Sequence, residues 1–285
     1  MFRKFVIMSV FIIFILVACA GIESKYNTNI TKARMPVRLQ PSDTLISFVI
    51  EGVTFASWQK TVLTNAENLA RRYNLTFDLA TFAEHLNKKN KDAWKIYEDN
   101  QDVFEIIAGG FNNVNPVEPK RTGEFYDISI KKQIPYDLQE QKIKDMKAIF
   151  EKIDIKPAMQ VFLVPYFAGD ENTILIAEKY GYKLIIQQNI GKKDELIRNY
   201  NTITASKCYV NIPNRVNITD KDLEYIKRVM QNYVDKRIKR IYIILHPVNF
   251  NTAEAVSYTE KMINEISFRF KTANVFYGMI LDGML

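Results

Sequence analysis

Four short apolar runs in this chain each end in residues that can do chemistry. Leu45-Ile46-Ser47-Phe48-Val49-Ile50 leads into Glu51-Gly52, and residues 103–107 lead into Ala108-Gly109-Gly110-Phe111-Asn112-Asn113. Residues 161–164 lead into Pro165-Tyr166, and residues 240–245 into His246-Pro247. A carboxylic acid and an imidazole commonly serve as general acid and base, so Glu51 and His246 are the candidates for that pair. Each also has a plainer reading, as a loop carboxylate paired with a cation and as a buried imidazole bonded to backbone. The rings of Phe111, Phe125, Tyr126 and Tyr166 suit stacking on a sugar, or packing of the loops that carry them. His85, in a lysine-rich stretch, reads as a surface residue. With only Cys19 and Cys208 in the chain, no disulfide framework or zinc–thiolate site can be built. Cys208, next to Tyr209 in an apolar run, reads as an inert buried thiol.

Positioning these residues takes an alternation of strands and helices. Apolar runs predict strands over 45–51, 75–79, 103–107, 161–164, 183–186, 208–212 and 240–245. Helices are predicted from a Ser57 cap to Tyr73, over 81–99, from an Asp137 cap to Ile153, and from Asp170-Glu171 to just before Gly181. Further helices are predicted weakly over 194–199, from a Thr219 cap to Lys236, and over 252–270. Such alternation implies a mostly parallel sheet covered on both faces, as a barrel or a doubly wound sheet. In either, the loops after the C-terminal ends of strands form the ligand rim, and Glu51, the 109–113 loop, Pro165-Tyr166 and His246 would gather there. The connection onward to Pro135 is long, and loops of that kind are functional or disordered.

The chain has 285 residues, 47% hydrophobic and 25% charged, an ordinary globular composition able to bury one large core or two small ones. Arg3 and Lys4 precede an apolar run over 5–18 interrupted by Ser9. That run is shorter than the roughly 20 residues of a spanning helix and suits a signal-peptide core. Leu16-Val17-Ala18-Cys19 resembles the lipobox of bacterial lipoproteins, which implies lipidation at Cys19. On that reading residues 1–18 are a signal peptide, 19–42 a polar tether and 43–285 the folded domain, held outside the cytoplasmic membrane by a lipid anchor. A plain secretory signal cleaved near Ala20 and an uncleaved anchor are the other readings. The net charge of +7 falls to +5 once Arg3 and Lys4 are removed. Spread along the chain, it permits attraction to anionic envelope polymers or lipid headgroups but is too diffuse for a nucleic-acid binder.

Taken together, the rim segments resemble a degenerate member of the polysaccharide deacetylase (NodB-homology) superfamily, over residues 45–270. The resemblance implies an irregular (β/α) barrel of about seven parallel strands. In active members it implies a divalent metal, often zinc, that activates water to remove an N- or O-acetyl group from a glycan. The family's first strand ends in Asp-Asp, base then metal ligand, where this chain has Ile50-Glu51. Its two metal histidines, four residues apart, fall on Gly109 and Asn113, and its Arg-Pro-Pro-aromatic motif is Leu163-Val164-Pro165-Tyr166. Asp170-Glu171-Asn172-Thr173, Glu124-Phe125-Tyr126 and His246-Pro247 remain. Zinc needs three charged or imidazole ligands and an open position, so no metal and no cofactor are expected. The expected substrate contacts are Phe111, Asn112, Asn113, Glu124, Pro165 and Tyr166, the expected partner is a cell-surface glycan, and any catalysis would fall to Glu51 and His246. An active deacetylase or hydrolase, with zinc held by residues outside these motifs, and a scaffold for anionic envelope polymers are the alternatives.

Overall fold

Strands that read as unbroken apolar runs need cover on both faces, and this fold supplies it with helices outside and other strands inside. The computed structural model describes residues 44–190, 195–269 and 273–274. In chain order they form β1 (Leu45–Val53), α1 (Gln59–Tyr73), β2 (Phe77–Thr81), α2 (Ala83–Leu86), α3 (Lys91–Asp99), β3 (Phe104–Ala108), β4 (Tyr126–Asp127) and β5 (Lys132–Gln133). There follow α4 (Tyr136–Lys152), β6 (Val161–Leu163), α5 (Glu171–Lys179), β7 (Leu184–Ile186), β8 (Ile197–Asn199), β9 (Thr204–Ser206) and β10 (Tyr209–Asn211). The last elements are α6 (Asp220–Asp235), β11 (Arg240–Leu245), α7 (Ala253–Arg269) and β12 (Ala273–Asn274). The sheet runs β10-β11-β1-β2-β3-β6-β7-β9-β8 with β12 beside β1, and only the β8–β9 pairing is antiparallel.

This is the mostly parallel α/β architecture expected, but among the described residues the hydrogen-bonded path does not close into a ring. The chain itself links its ends: β9 pairs with β7, Lys207 and Cys208 follow, and β10 pairs with β11. At that break Gln187 N donates to Ser206 O at 3.0 Å and Tyr242 N to Cys208 O at 3.0 Å. The inner face is a cluster drawn almost wholly from strands: Val49, Ala80, Ile107, Leu163, Ile186 and Ile244. A sheet can bury such a set against itself only by curling. Phe167, just beyond β6, stacks on Tyr209 of β10 at 3.9 Å across the curl. The alternate residues, among them Ile50, Leu79, Ile106 and Leu245, face outward and pack with Val62 and Ala66 of α1, Met230 of α6 and Met262 of α7.

Several local expectations need correction. Ser57 does not cap α1, whose N-cap is Trp58 without a side-chain bond; instead buried Gln59 accepts from Thr54 N at 2.7 Å and donates to Gly52 O at 3.0 Å, tying down the turn after β1. The helix expected over 81–99 is two, because the Asn90 side chain accepts from Asp92 N and Ala93 N and starts α3 afresh. Asp137 is inside α4, after Pro135 at the N-cap. Residues 197–199, expected to be helical, pair with β9, a strand too short to show a period. Thr219 does cap α6, in a reciprocal box with Asp222. Among the described residues no helix is long and apolar enough to cross a membrane. Cys19, the signal-peptide segment and the whole of the tether lie outside the described residues.

Candidate functional site

Strand alternation builds the site. Val49, Leu163, Tyr209 and Ile244 face or pack against the inner cluster, and two residues further along each strand lie Glu51, Pro165, Asn211 and His246. Because these strands are parallel, all four emerge at the same end of the sheet. They line a cavity of about 380 Å3 together with Gly52, Phe82, Asn113, Tyr166, Phe167, Asn214 and Pro247. The convergence of Glu51, Asn113 and His246 on one hollow is what the rim position of their strand ends implied.

At the centre, His246 Nδ1 lies 3.8 Å from Glu51 Oε2. His246 Nε2 is 3.0 Å from Asn211 Oδ1, a contact in which the ring nitrogen donates. That leaves Nδ1 on the side of the Glu51 carboxyl. Burial pushes the Glu51 carboxyl above its ordinary value, opposed by the Tyr166 backbone N–H donating to Oε1 at 3.3 Å. Burial pushes the imidazole the other way, below its ordinary value, against a bond to the Ile212 backbone. Both shifts favour neutral forms, as expected of two groups removed from water without a full counter-charge. Tyr166 reaches Glu51 through a left-handed backbone conformation (φ 54°, ψ 15°) that leaves its ring 47% exposed at the mouth. The Tyr166 hydroxyl accepts from Asn113 Nδ2 at 3.0 Å, while Asn113 Oδ1 is buried with no hydrogen-bond partner among the described residues.

The glycine-asparagine loop is held from behind. Fully buried Glu124 accepts the backbone N–H groups of Phe111, Asn112 and Asn113, and Lys142 Nζ donates to Asn112 Oδ1 at 2.6 Å while lying over the Phe111 ring at 5.0 Å. Burial raises the Glu124 carboxyl and the three N–H groups and Lys142 oppose that rise. Glu124, Phe111 and Asn112, expected as substrate contacts, stand behind the cavity wall and are not among its lining residues. A carboxylate with three backbone donors is already occupied.

The residues present do not fit a zinc ion. A Cβ on Gly109 would lie 2.8 Å from Ala80 C and 2.9 Å from Thr81 N, so this position cannot carry an imidazole while β3 pairs with β2. Ile50 faces the helix-side core, so the position assigned to the base by resemblance lies on the wrong side of β1. Asn113 offers a neutral amide, a poor zinc ligand. Among the described residues no group of three or more His, Cys, Asp or Glu side chains is placed to hold a metal ion.

Of the expected residues, Glu51, His246, Asn113, Pro165 and Tyr166 meet at the cavity. Asn211 and Asn214 were missed, although Asn211 ends a strand just before Pro213 and the rim rule that found His246 applies to it equally. Asp170, with Thr173, caps α5 and accepts from Gln139 at 3.2 Å, so the retained Asp-Glu-Asn-Thr stretch serves the helix. Cys208 is buried and its thiol is pushed up to about 11 by desolvation, in keeping with an inert role.

No protein-family model and no curated protein matches this sequence. Solved structures do resemble it. A proposed polysaccharide deacetylase from Mycobacterium smegmatis superposes with a TM-score of 0.62 at 10% identity, over 88% of this chain and 93% of that one. Puue allantoinase gives 0.56 at 11% identity over 90% and 94%. The Xyl-CE4 domain of a multidomain xylanase from the hindgut metagenome of Trinervitermes trinervoides gives 0.51 at 10% identity over 85% and 91%. The chain thus has the fold of the polysaccharide deacetylases, at 10% identity with the first of these.

Proposed function

We propose that this is an envelope-anchored, polysaccharide deacetylase-like protein that binds a cell-surface glycan without metal-dependent deacetylation. The donor set carries the reading: Glu51 is the only carboxylate among the described residues that line the cavity, Gly109 has no room for a ligand, and the other polar side chains there are three asparagines, one histidine and the Tyr166 hydroxyl. A mouth that has no Lys or Arg among the described residues and leaves Tyr166 exposed suits a neutral, hydroxyl-rich ligand. The leader and Cys19 support placement outside the cytoplasmic membrane on a lipid anchor.

The test is a glycan-binding titration of the purified protein beside an acetate-release assay with and without added zinc. Binding without acetate release is expected, with Tyr166→Ala weakening it about tenfold if one stacked ring is lost. Stoichiometric zinc together with turnover would overturn the proposal. The 3.8 Å separation of Glu51 and His246 favours one second reading, metal-independent hydrolysis by an acid–base pair. Turnover that survives a chelator but is lost in both Glu51→Gln and His246→Gln would establish it.

A further inference from the structure

The long connection between β3 and α4 ends in a small, firmly built finger. Asp127, almost fully buried, accepts through Oδ1 from Ser129 N at 3.0 Å, from the Ser129 hydroxyl and from Ile130 N at 3.3 Å. Through Oδ2 it accepts from Asn115 Nδ2 at 2.9 Å and Arg121 Nη1 at 3.2 Å. Asn115 in turn accepts from Val117 N at 2.9 Å and Glu118 N at 3.1 Å. Two turns are locked together by one carboxylate, yet the side chains they present are apolar and exposed: Val117 at 60%, Ile128 at 42% and Ile130 at 51%. Near them in the chain Lys120, Lys131 and Lys132 are exposed and form no ion pair among the described residues, and Glu118 is an exposed acid of the same turn. Single exposed apolar residues are ordinary; three on one braced finger, with exposed lysines next to them along the chain, make a different surface.

We propose that this finger docks the domain on an anionic lipid bilayer, with Val117, Ile128 and Ile130 entering the interface and Lys120, Lys131 and Lys132 meeting the headgroups. Charge complementarity selects that occupant: apolar side chains flanked by cations gain from both the acyl boundary and the negative surface, whereas a neutral protein groove would leave the lysines without partners. The bracing matters because a finger already ordered loses little conformational entropy on docking. The contact is independent of the glycan reading. It would be a second attachment alongside any lipid on Cys19, and since the finger springs from the strand end at which the cavity lies, docking would hold the cavity mouth near the membrane.

The test uses the full chain in vesicles, with Cys19→Ser and Gln133→Cys carrying an environment-sensitive fluorophore on the exposed strand beside the finger. Cys208 is buried and is not labelled. Vesicles of phosphatidylcholine alone are compared with vesicles containing phosphatidylglycerol. A blue shift with quenching by lipid-borne nitroxide is expected only on the anionic vesicles, reversed by salt and lost in Ile128→Asp/Ile130→Asp. Each of Lys120→Gln, Lys131→Gln and Lys132→Gln is expected to lower the docked-to-free ratio about fivefold. Identical spectra on the two vesicle types would sink the proposal. So would a dimer that dissociates in the Ile128→Asp/Ile130→Asp variant, which would assign the patch to a second copy of the chain, or a label protected only by an added protein.

Discussion

Burial moves Glu51 and His246 in opposite directions on the pH scale, and this makes the pair testable residue by residue. His246 has a folded value below 6.5, so the unfolded chain takes up its proton first; the stability linked to the neutral ring is present above 6.5 and lost as pH falls through the folded value. Glu51 has a folded value above 4.5, so its contribution is present below 4.5 and lost as pH rises through the folded value. Urea denaturation followed between about pH 5 and 8 is expected to show a shallower acid limb in His246→Gln than in the parent, and greater stability of Glu51→Gln at neutral pH. Superimposable curves would mean that neither group is desolvated as described. Gly109→Ala is expected to destabilise by on the order of 2 kcal/mol in the same assay, because its Cβ meets backbone that cannot step aside. At this scale the sequence disclosed residue types and their rim positions but not their facing. One residue of register separates Ile50 in the core from Glu51 in the cavity, and a resemblance in letters does not carry that distinction.

The elements hold the loops that hold the site. Glu124→Gln keeps one carbonyl oxygen for Asn112 and Asn113 but turns an amide N–H2 toward Phe111 N, leaving a buried donor unpaired. A loss of about 2 kcal/mol is expected, with faster hydrogen exchange over 109–115 and weaker ligand binding although Glu124 does not line the cavity. Unchanged exchange in that loop would show that Lys142 alone suffices. Thr219→Ala should cost about 1 kcal/mol through its cap on α6, with the cavity unaffected. Elements with a strong local signature were legible: β11 has the predicted ends, and α6 starts at the predicted threonine. β8 and β9, of three residues each, were not, because segments that short are strands only by virtue of the partner they meet.

For the whole molecule, the expectation with the widest reach is attachment at Cys19. Intact-mass analysis of the protein from a membrane fraction is expected to show a chain beginning at residue 19 with an acyl-bearing cysteine, and Cys19→Ala should release it or leave the leader uncleaved. A mature chain beginning elsewhere, with an unmodified thiol, would restore the plain secretory reading. Apolar runs separated by amphipathic stretches, with chemistry-bearing residues at their ends, were enough to determine an α/β chain with its candidate site on one rim, because strand burial and helix amphipathicity are written in short-range periods. Only the tertiary structure decided which of those residues share the cavity, that Glu124 braces it from outside, that Gly109 has no space for a ligand, and that the sheet is joined through a break at Lys207-Cys208. Those outcomes depend on contacts between residues distant along the chain, on their direction as much as their kind, and direction is set only once the strands have taken their register.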